Sequence, residues 1–416
     1  MTSPAAVLNQ GCECVTLDDA LLEEALQQEI GSFESADLAA SHPHLFSRNA
    51  VFIDEPTRRA MQQVIEATER VVALPAYQEL ALATAHPHAR VATAARGVFF
   101  GYDFHLAEDG PQLIEINTNA GGALLNALLR RAQRACCDAV GQALRVHPDE
   151  EPPRFLAMFR AEHARARGAA ALRRIAIVDD APASQYLYPE FRLFKSIFEA
   201  ARIDAVICDP RELELRSGVL EHRGYPIDLV YNRLTDFTLA APGHEVLAQA
   251  WREDLAVITP HPRAHALYAD KGRLVTLSDA DALRALGVAA PDVELLLRHV
   301  PRTERVDPSQ RDAFWSRRRQ LFFKPEHGYG SKAAYRGDKL TKSVFEKLLE
   351  EPYVAQRIVP PSLRQLRVGD ETRALKLDIR NFAYAGEVQL LCARLYEGQT
   401  TNFRTQGGGF APVYAT

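Results

Sequence analysis

The sequence predicts a mixed α/β protein, and three observations predict it. RRIAIVDD, a helical pattern over residues 186 to 201 and DAVICDP follow one another as strand, helix and strand. Two further apolar runs, DLVYNR and LAVITPHP, extend the series. Elsewhere, period-two stretches such as LIEINTNAGG and ALKLDIRNFAY carry polar side chains on one face only. The first series makes a small doubly wound α/β unit from roughly residue 170 to 290, set in a chain that is otherwise α+β.

The 416 residues, 47% hydrophobic and 25% charged, suffice for two or three domains with full cores. A net charge of −5, from 49 basic and 54 acidic side chains, argues against a general nucleic-acid or membrane-surface binder and for small-molecule partners. MTSPAAVLNQ lacks a basic n-region and an apolar h-region, and no apolar run is long enough to span a bilayer, so a cytoplasmic location is expected. The six cysteines, at 12, 14, 136, 137, 208 and 392, lack paired CxxC spacing and read as reduced thiols, with Cys12 and Cys14 alone kept in view for a redox or metal role.

In chain order, residues 18–30 and 56–73 read as helices, the second with Met61, Val64, Ile65, Val71 and Val72 on one side. Residues 98–105 and 112–117 read as two strands joined by AEDGP, which brings Asp103 and Glu115 to neighbouring strands. In LIEIN, Glu115 and Asn117 share one face, with Ile114 and Ile116 on the other. Two oxygen-bearing side chains so placed suit a magnesium ion, although a strand ending in a turn explains the same letters. A helix is expected from Ala123 to about Leu144, its positive end beside those oxygens. In the doubly wound unit, Asp179, Asp180, Asp209, Asn232, Arg233, His261 and Arg263 fall at strand ends, where ligands of open α/β sheets gather.

LFFKPEHGYGSKAAY delivers Lys324 at a strand end and follows it with Gly328, Gly330, Ser331 and Lys332. Such a loop either cradles phosphate with backbone N–H groups or is a glycine-rich hairpin; it is neither a Walker A loop nor GxGxxG. Ser343 and Glu346 form an S-x-x-E pair fit to cap the next helix. ALKLDIRNFAY places Leu375, Leu377 and Ile379 on one face and Lys376, Asp378 and Arg380 on the other, as a solvent face or as the floor of a site. EVQLLCARLY then presents Arg394, and TTNFRTQGGGFAPV presents Arg404 and three glycines.

The pieces GYDFHLAEDGPQLIEINTNAGG, DLVYNRLTDF, LYADKGRL, FFKPEHGYGSKA with YVAQRIVP, and RLYEGQTTNFRTQGGGFAPV resemble, in this order, the eukaryotic-type glutathione synthetases and, more loosely, the glutathionylspermidine synthetases. These are ATP-grasp ligases in circularly permuted order, and the resemblance runs from about residue 96 to the end. It implies an ATP-grasp fold with the small α/β unit inserted as a substrate domain, divided at 1–168, 169–295 and 296–416. It implies that Glu115 and Asn117 bind Mg2+, with Glu326 as a guessed third ligand, and that Lys324 and Lys271 contact ATP phosphates under a loop of Gly328, Gly330 and Ser331. Gln356 and Ile358 would lie on the strand that holds adenine, Asp378 and Arg380 on the floor beneath, and Arg394 or Arg404 would steady the transferred phosphoryl group. Arg233 and Asp236 would grip the ends of an amino-acid-like substrate or pair with each other, and Asp103 would face the same substrate. An arginine usual in the family before Asp103 is replaced at Gly101 or Tyr102, which counts against glutathione itself. The implied reaction joins a carboxylate to an amine through an acyl phosphate and releases ADP and phosphate. A phosphotransferase acting on a hydroxyl, or a nucleotide-binding regulator, would use the same nucleotide residues. No nucleic acid or membrane partner is expected, and a homodimer is the assembly kept in view.

Overall fold

The computed structural model describes residues 3–13, 15–30, 38, 41–135, 137–138, 140–141, 151–328 and 333–416; Cys14, Cys136, Gly330, Ser331 and Lys332 lie outside the described residues. Its largest sheet runs in the order Val51–Ile53, Gly409–Ala415, Glu387–Tyr396, Glu371–Tyr384, Phe100–Ala107, Gly110–Asn117, with Ser362–Val368 also paired to Glu371–Tyr384. Val51–Ile53 runs parallel to its neighbour and the other pairs are antiparallel. Alternation explains the sheet: Leu375, Leu377 and Ile379 all turn into one core. Between Glu371–Tyr384 and Glu387–Tyr396 the two-residue loop Ala385-Gly386 has both φ angles positive, at 49° and 87°, the geometry whose twist matches that of the strands.

The helix Glu55–Val72 begins where Asp54 accepts from the Thr57 N–H and Pro56 occupies the first turn, and its predicted stripe of Met61, Val64, Ile65, Val71 and Val72 is buried in the core of the large sheet. The helix expected from Ala123 to about Leu144 is interrupted: it spans Ala123–Arg131, and Asp138, Val140 and Gly141 are helical again, while residues 136, 139 and 142–144 lie outside the described residues. Just beyond Arg131, Gln133 bridges to Leu17 and the Arg134 N–H donates to the Thr16 carbonyl oxygen, which turns the backbone out of the helical path.

The doubly wound series folds as an all-parallel sheet in the order Val257–Thr259, Leu229–Asn232, Arg174–Val178, Asp204–Cys208, with the helix Tyr188–Ala200 crossing from the third to the fourth. A three-stranded antiparallel sheet over residues 213–226, not legible in the pattern, is inserted between Asp204–Cys208 and Leu229–Asn232. A further antiparallel sheet runs Thr303–Arg305, Tyr353–Arg357, Leu321–Pro325, Tyr335–Arg336. The helix Lys342–Leu348 packs on it through Phe345 against Phe323. That helix is capped by Thr341, which accepts from the Val344 N–H, and not by Ser343; Glu346 pairs with Arg311 instead.

One clamp joins distant parts of the chain. Arg364 is fully buried and donates to the carbonyl oxygens of Asn9 at 2.9 Å, Cys12 at 2.8 Å and Ala50 at 3.0 Å, so that a charge sits in the interior on backbone acceptors.

Candidate active site

The polar face of the large sheet and the sheet around Leu321–Pro325 enclose a cavity of about 800 Å³, part of it open to solvent. Along Leu321–Pro325, Leu321 and Phe323 enter the core while Phe322 and Lys324 line the cavity. Across the ladder Phe322 faces Gln356, so the cavity wall continues onto Tyr353–Arg357. Ile114, Phe322, Ile358 and Val359 supply apolar wall, and Glu115, Lys271, Lys324 and Arg394 supply charge.

A bulge sets the geometry. Asp103 pairs with Glu115 and Phe104 with Leu113, which leaves Ile114 without a partner and re-aims the strand. Ile114 therefore lines the cavity, where simple alternation assigns it to the core with Ile116, and its carbonyl oxygen accepts from Lys324 Nζ at 2.9 Å. Lys324 also donates to Gln356 Oε1 at 2.9 Å. Burial pushes its ammonium down to about 8, with Glu115 opposing and Lys271 adding to the fall. Lys271 Nζ donates to the Gly328 carbonyl oxygen at 2.6 Å and lies 3.3 Å from Glu115 Oε1. Burial works against the charge on Glu115, but Lys271 and Lys324 outweigh it and hold the carboxyl below its usual range.

The charged face of Glu371–Tyr384 is interior at Asp378 and Arg380, while Lys376 is half-buried. Arg380 grips Asp103 through two hydrogen bonds of 2.7 Å; Arg394 donates to Asp103 at 2.8 Å and to Asp378 at 2.7 Å; Thr401 donates to Asp378 at 2.6 Å. Burial opposes ionisation of Asp103, and the two guanidinium groups override it, so it stays below the usual carboxylate range. Asn117 donates to the same carboxylate at 3.1 Å and does not line the cavity. Asp103 lines the cavity, with its oxygens engaged by Arg380, Arg394 and Asn117.

Other expectations separate in space. Glu326 does not join Glu115: its Oε1 accepts from Arg305 at 3.0 and 3.2 Å, and it is not among the cavity residues. Arg394 lines the cavity, whereas Arg404 is exposed and does not. The Ile358 N–H donates to the Gln320 carbonyl oxygen, so this residue contributes apolar wall and no free donor. Arg233 and Asp236 do not pair: Arg233 is buried against Phe191 and Tyr231, while Asp236 accepts from Thr238, Ala241 and His244 in its own loop. Among the strand-end residues, Asp209 caps a turn, and His261 is buried against Trp251 with burial driving its imidazolium down to about 4. The positive end of Ala123–Arg131 is taken by the chain's own Glu190, which accepts from the N–H groups of Gly122 and Leu124. Thr400, Thr401 and His105 also line the cavity; two adjacent threonines in GQTTN and a lone histidine in a strand carry no spacing that would single them out.

Chemically, two lysines beside Glu115, with Arg394 in the same lining, can neutralise a polyphosphate, and the apolar wall can hold a flat ring. Among the described residues no three His, Cys, Asp or Glu side chains group to hold a metal. Glu115, in the cavity lining, is a hard oxygen donor that fits an ion completing its shell with water and phosphate oxygens, as Mg2+ does.

No protein-family model matches the chain, and no curated protein matches it in sequence. Among solved structures, it superposes on a glutathione synthetase-like effector from Globodera pallida with a TM-score of 0.57, at 12% identity, over 97% of this chain and 98% of that one. A protein solved under the name γ-glutamylcysteine synthetase, from Methylobacillus flagellatus, gives 0.46 at 9% identity over 85% of each chain. The ATP-grasp ligase PsnB, with its minimal precursor, Mg and ADP, gives 0.31 at 15% identity over 57% of this chain and 87% of that one. The first likeness shows a mixed α/β fold of glutathione synthetase type over nearly the whole length, the resemblance read from the sequence. ATP-grasp ligases are among its structural neighbours.

Proposed function

We propose that the chain is an ATP-dependent carboxylate–amine ligase, an ATP-grasp protein in circularly permuted order with the parallel-sheet unit inserted as a substrate domain. The observation that carries this reading is the meeting of Lys271, Lys324, Glu115 and Arg394 in the lining of one cavity with an apolar wall. In this reading Ile114, Phe322, Ile358 and Val359 hold the adenine. Lys324 and Lys271 bind phosphate oxygens, and Arg394, already oriented by Asp103 and Asp378, faces the transferred phosphoryl group. Magnesium, when bound at Glu115, would supply the remaining charge neutralisation. The carboxylate attacks the γ-phosphorus and ADP leaves. The amine then attacks the acyl phosphate, forming the amide and expelling phosphate. The protein's own work is alignment, charge neutralisation and exclusion of water, with no protein nucleophile required.

The test is interception. With ATP, magnesium and the right acid, hydroxylamine is expected to give a hydroxamate and ADP, and oxygen-18 in the acid's carboxylate is expected to appear in released phosphate. A stable phosphate ester without label transfer would make the enzyme a kinase of the same fold.

A further inference from the structure

We propose that a second cavity, adjoining the first at Gly328, holds a substrate carboxylate on Arg273. The word substrate rests on the ligase reading above; the binding itself does not. The cavity, of about 1000 Å³ with part of it open to solvent, is lined among others by Phe237, His265, Asp270, Arg273 and His327, and by Gly328, which also lines the first cavity. A molecule seated there lies beside the segment that leads into the glycine-rich loop.

Arg273 is 5% exposed, and its guanidinium makes no hydrogen bond among the described residues; Nε is enclosed and without a partner. The nearest carboxylate, Asp270, has Oδ1 at 3.8 Å from Nε, beyond hydrogen-bond reach. Asp270 is already engaged, Oδ2 with His327 Nδ1 at 2.7 Å and Oδ1 with the Gly272 N–H at 2.8 Å. A buried guanidinium without acceptors is an unfavourable arrangement that an anionic ligand relieves, and a planar carboxylate matches its fork. Beside it, His265 is stacked on Phe237 with centroids 4.1 Å apart and planes 9° from parallel, and its Nδ1 is likewise buried without a partner. The stack makes a fixed flat wall on one side of the cavity. Arg233, the arginine the sequence offered for this task, donates to the Ala120 carbonyl oxygen and lies outside this cavity.

The carboxylate could belong to the acid that is activated or to an amino acid whose amine attacks. The full chain, with Mg2+ and a non-hydrolysable ATP analogue present, should be titrated by calorimetry with glycine, L-alanine, L-glutamate and succinate. At least one is expected to bind, and Arg273→Gln to bind it at least thirtyfold more weakly while holding the analogue within threefold of the parent. Should Arg273→Gln fail to fold, Arg273→Lys keeps the charge, removes the planar fork and is expected to weaken the same probe at least fivefold. Binding that survives in the variants, or no binding of any probe by the parent chain, overturns the proposal. Because no phosphoryl transfer occurs in this titration, its outcome is independent of the hydroxamate and oxygen-18 tests. In those assays, a raised KM for the acid identifies the activated substrate as the source of the carboxylate. A raised KM for the amine alone, with hydroxamate formation unchanged, identifies the attacking amino acid.

Discussion

Lys271 Nζ stands between Glu115 Oε1, at 3.3 Å, and the carbonyl oxygen of Gly328, at 2.6 Å, so one ammonium ties the large sheet to the entry of the glycine-rich loop. Glu115→Ala removes the carboxylate between two lysines. It is expected to lower ADP release at least a hundredfold at limiting magnesium. Thermal unfolding should show a loss of no more than about 3 kcal/mol, since the side chain is only partly buried. Parental activity at limiting magnesium would remove Glu115 from the site.

Lys324→Met keeps most of the side chain's bulk and deletes its charge. Nucleotide affinity by calorimetry is expected to fall at least tenfold, with the Ile114 carbonyl oxygen and Gln356 losing their shared donor. Undiminished affinity would move the phosphate site onto Lys271.

The pH dependence follows from the same residue. With Lys324 at about 8 instead of the ordinary 10.5, it is charged below pH 8 and neutral above. Phosphate favours the charged form, so nucleotide affinity is expected to be full below pH 8 and to weaken as pH rises through it. The contribution to folding has the opposite trend: between about pH 8 and 10.5 the unfolded chain binds the extra proton, so this group adds stability as pH rises across that window. Calorimetry at pH 8.5 in buffers of differing ionisation enthalpy should show proton uptake with nucleotide, and Lys324→Met should abolish that uptake.

Arg394→Ala should reduce turnover at least a hundredfold and also destabilise the fold by about 3–5 kcal/mol, because Asp103 and Asp378 lose a buried partner. Arg404→Ala should leave both activity and unfolding midpoint close to the parent's. The reverse result would place the phosphoryl-facing arginine in the TTNFRTQGGG segment.

Most strands were legible because one face of each is buried: Leu375, Leu377 and Ile379 are an unambiguous period of two. What alternation cannot show is a bulge, and the one at Ile114 turns an apparent core residue into cavity wall. The sheet over residues 213–226 escaped notice because its strands are short and mostly charged or exposed, leaving no apolar face to read. Lys271, Lys324 and Glu115 were legible as a set only through resemblance, since residues so far apart in sequence share no local spacing. Arg233 and Arg273 show the limit of residue type as a guide. Both are arginines near glycine or strand ends, and only the packing decides that one is spent on Ala120 and Tyr231 while the other is left without an acceptor.

Gly409–Ala415 lies between Val51–Ile53 and Glu387–Tyr396, inside the large sheet and not at its edge. During synthesis, then, Val51, Phe52 and Ile53 emerge from the ribosome without the neighbour they will pair with, and they wait until residues 409–415 have been made. The strands at 100–107 and 110–117, which bear Asp103 and Glu115, can form a hairpin early, yet their other partner, Glu371–Tyr384, is also hundreds of residues away. The parallel-sheet unit is complete by residue 259 and can close on its own schedule. The cavity between the large sheet and the sheet around Leu321–Pro325 is therefore assembled late, and a ribosome stalled before residue 371 would present a folded parallel sheet beside an open, hydrophobic ledge that needs protection from aggregation.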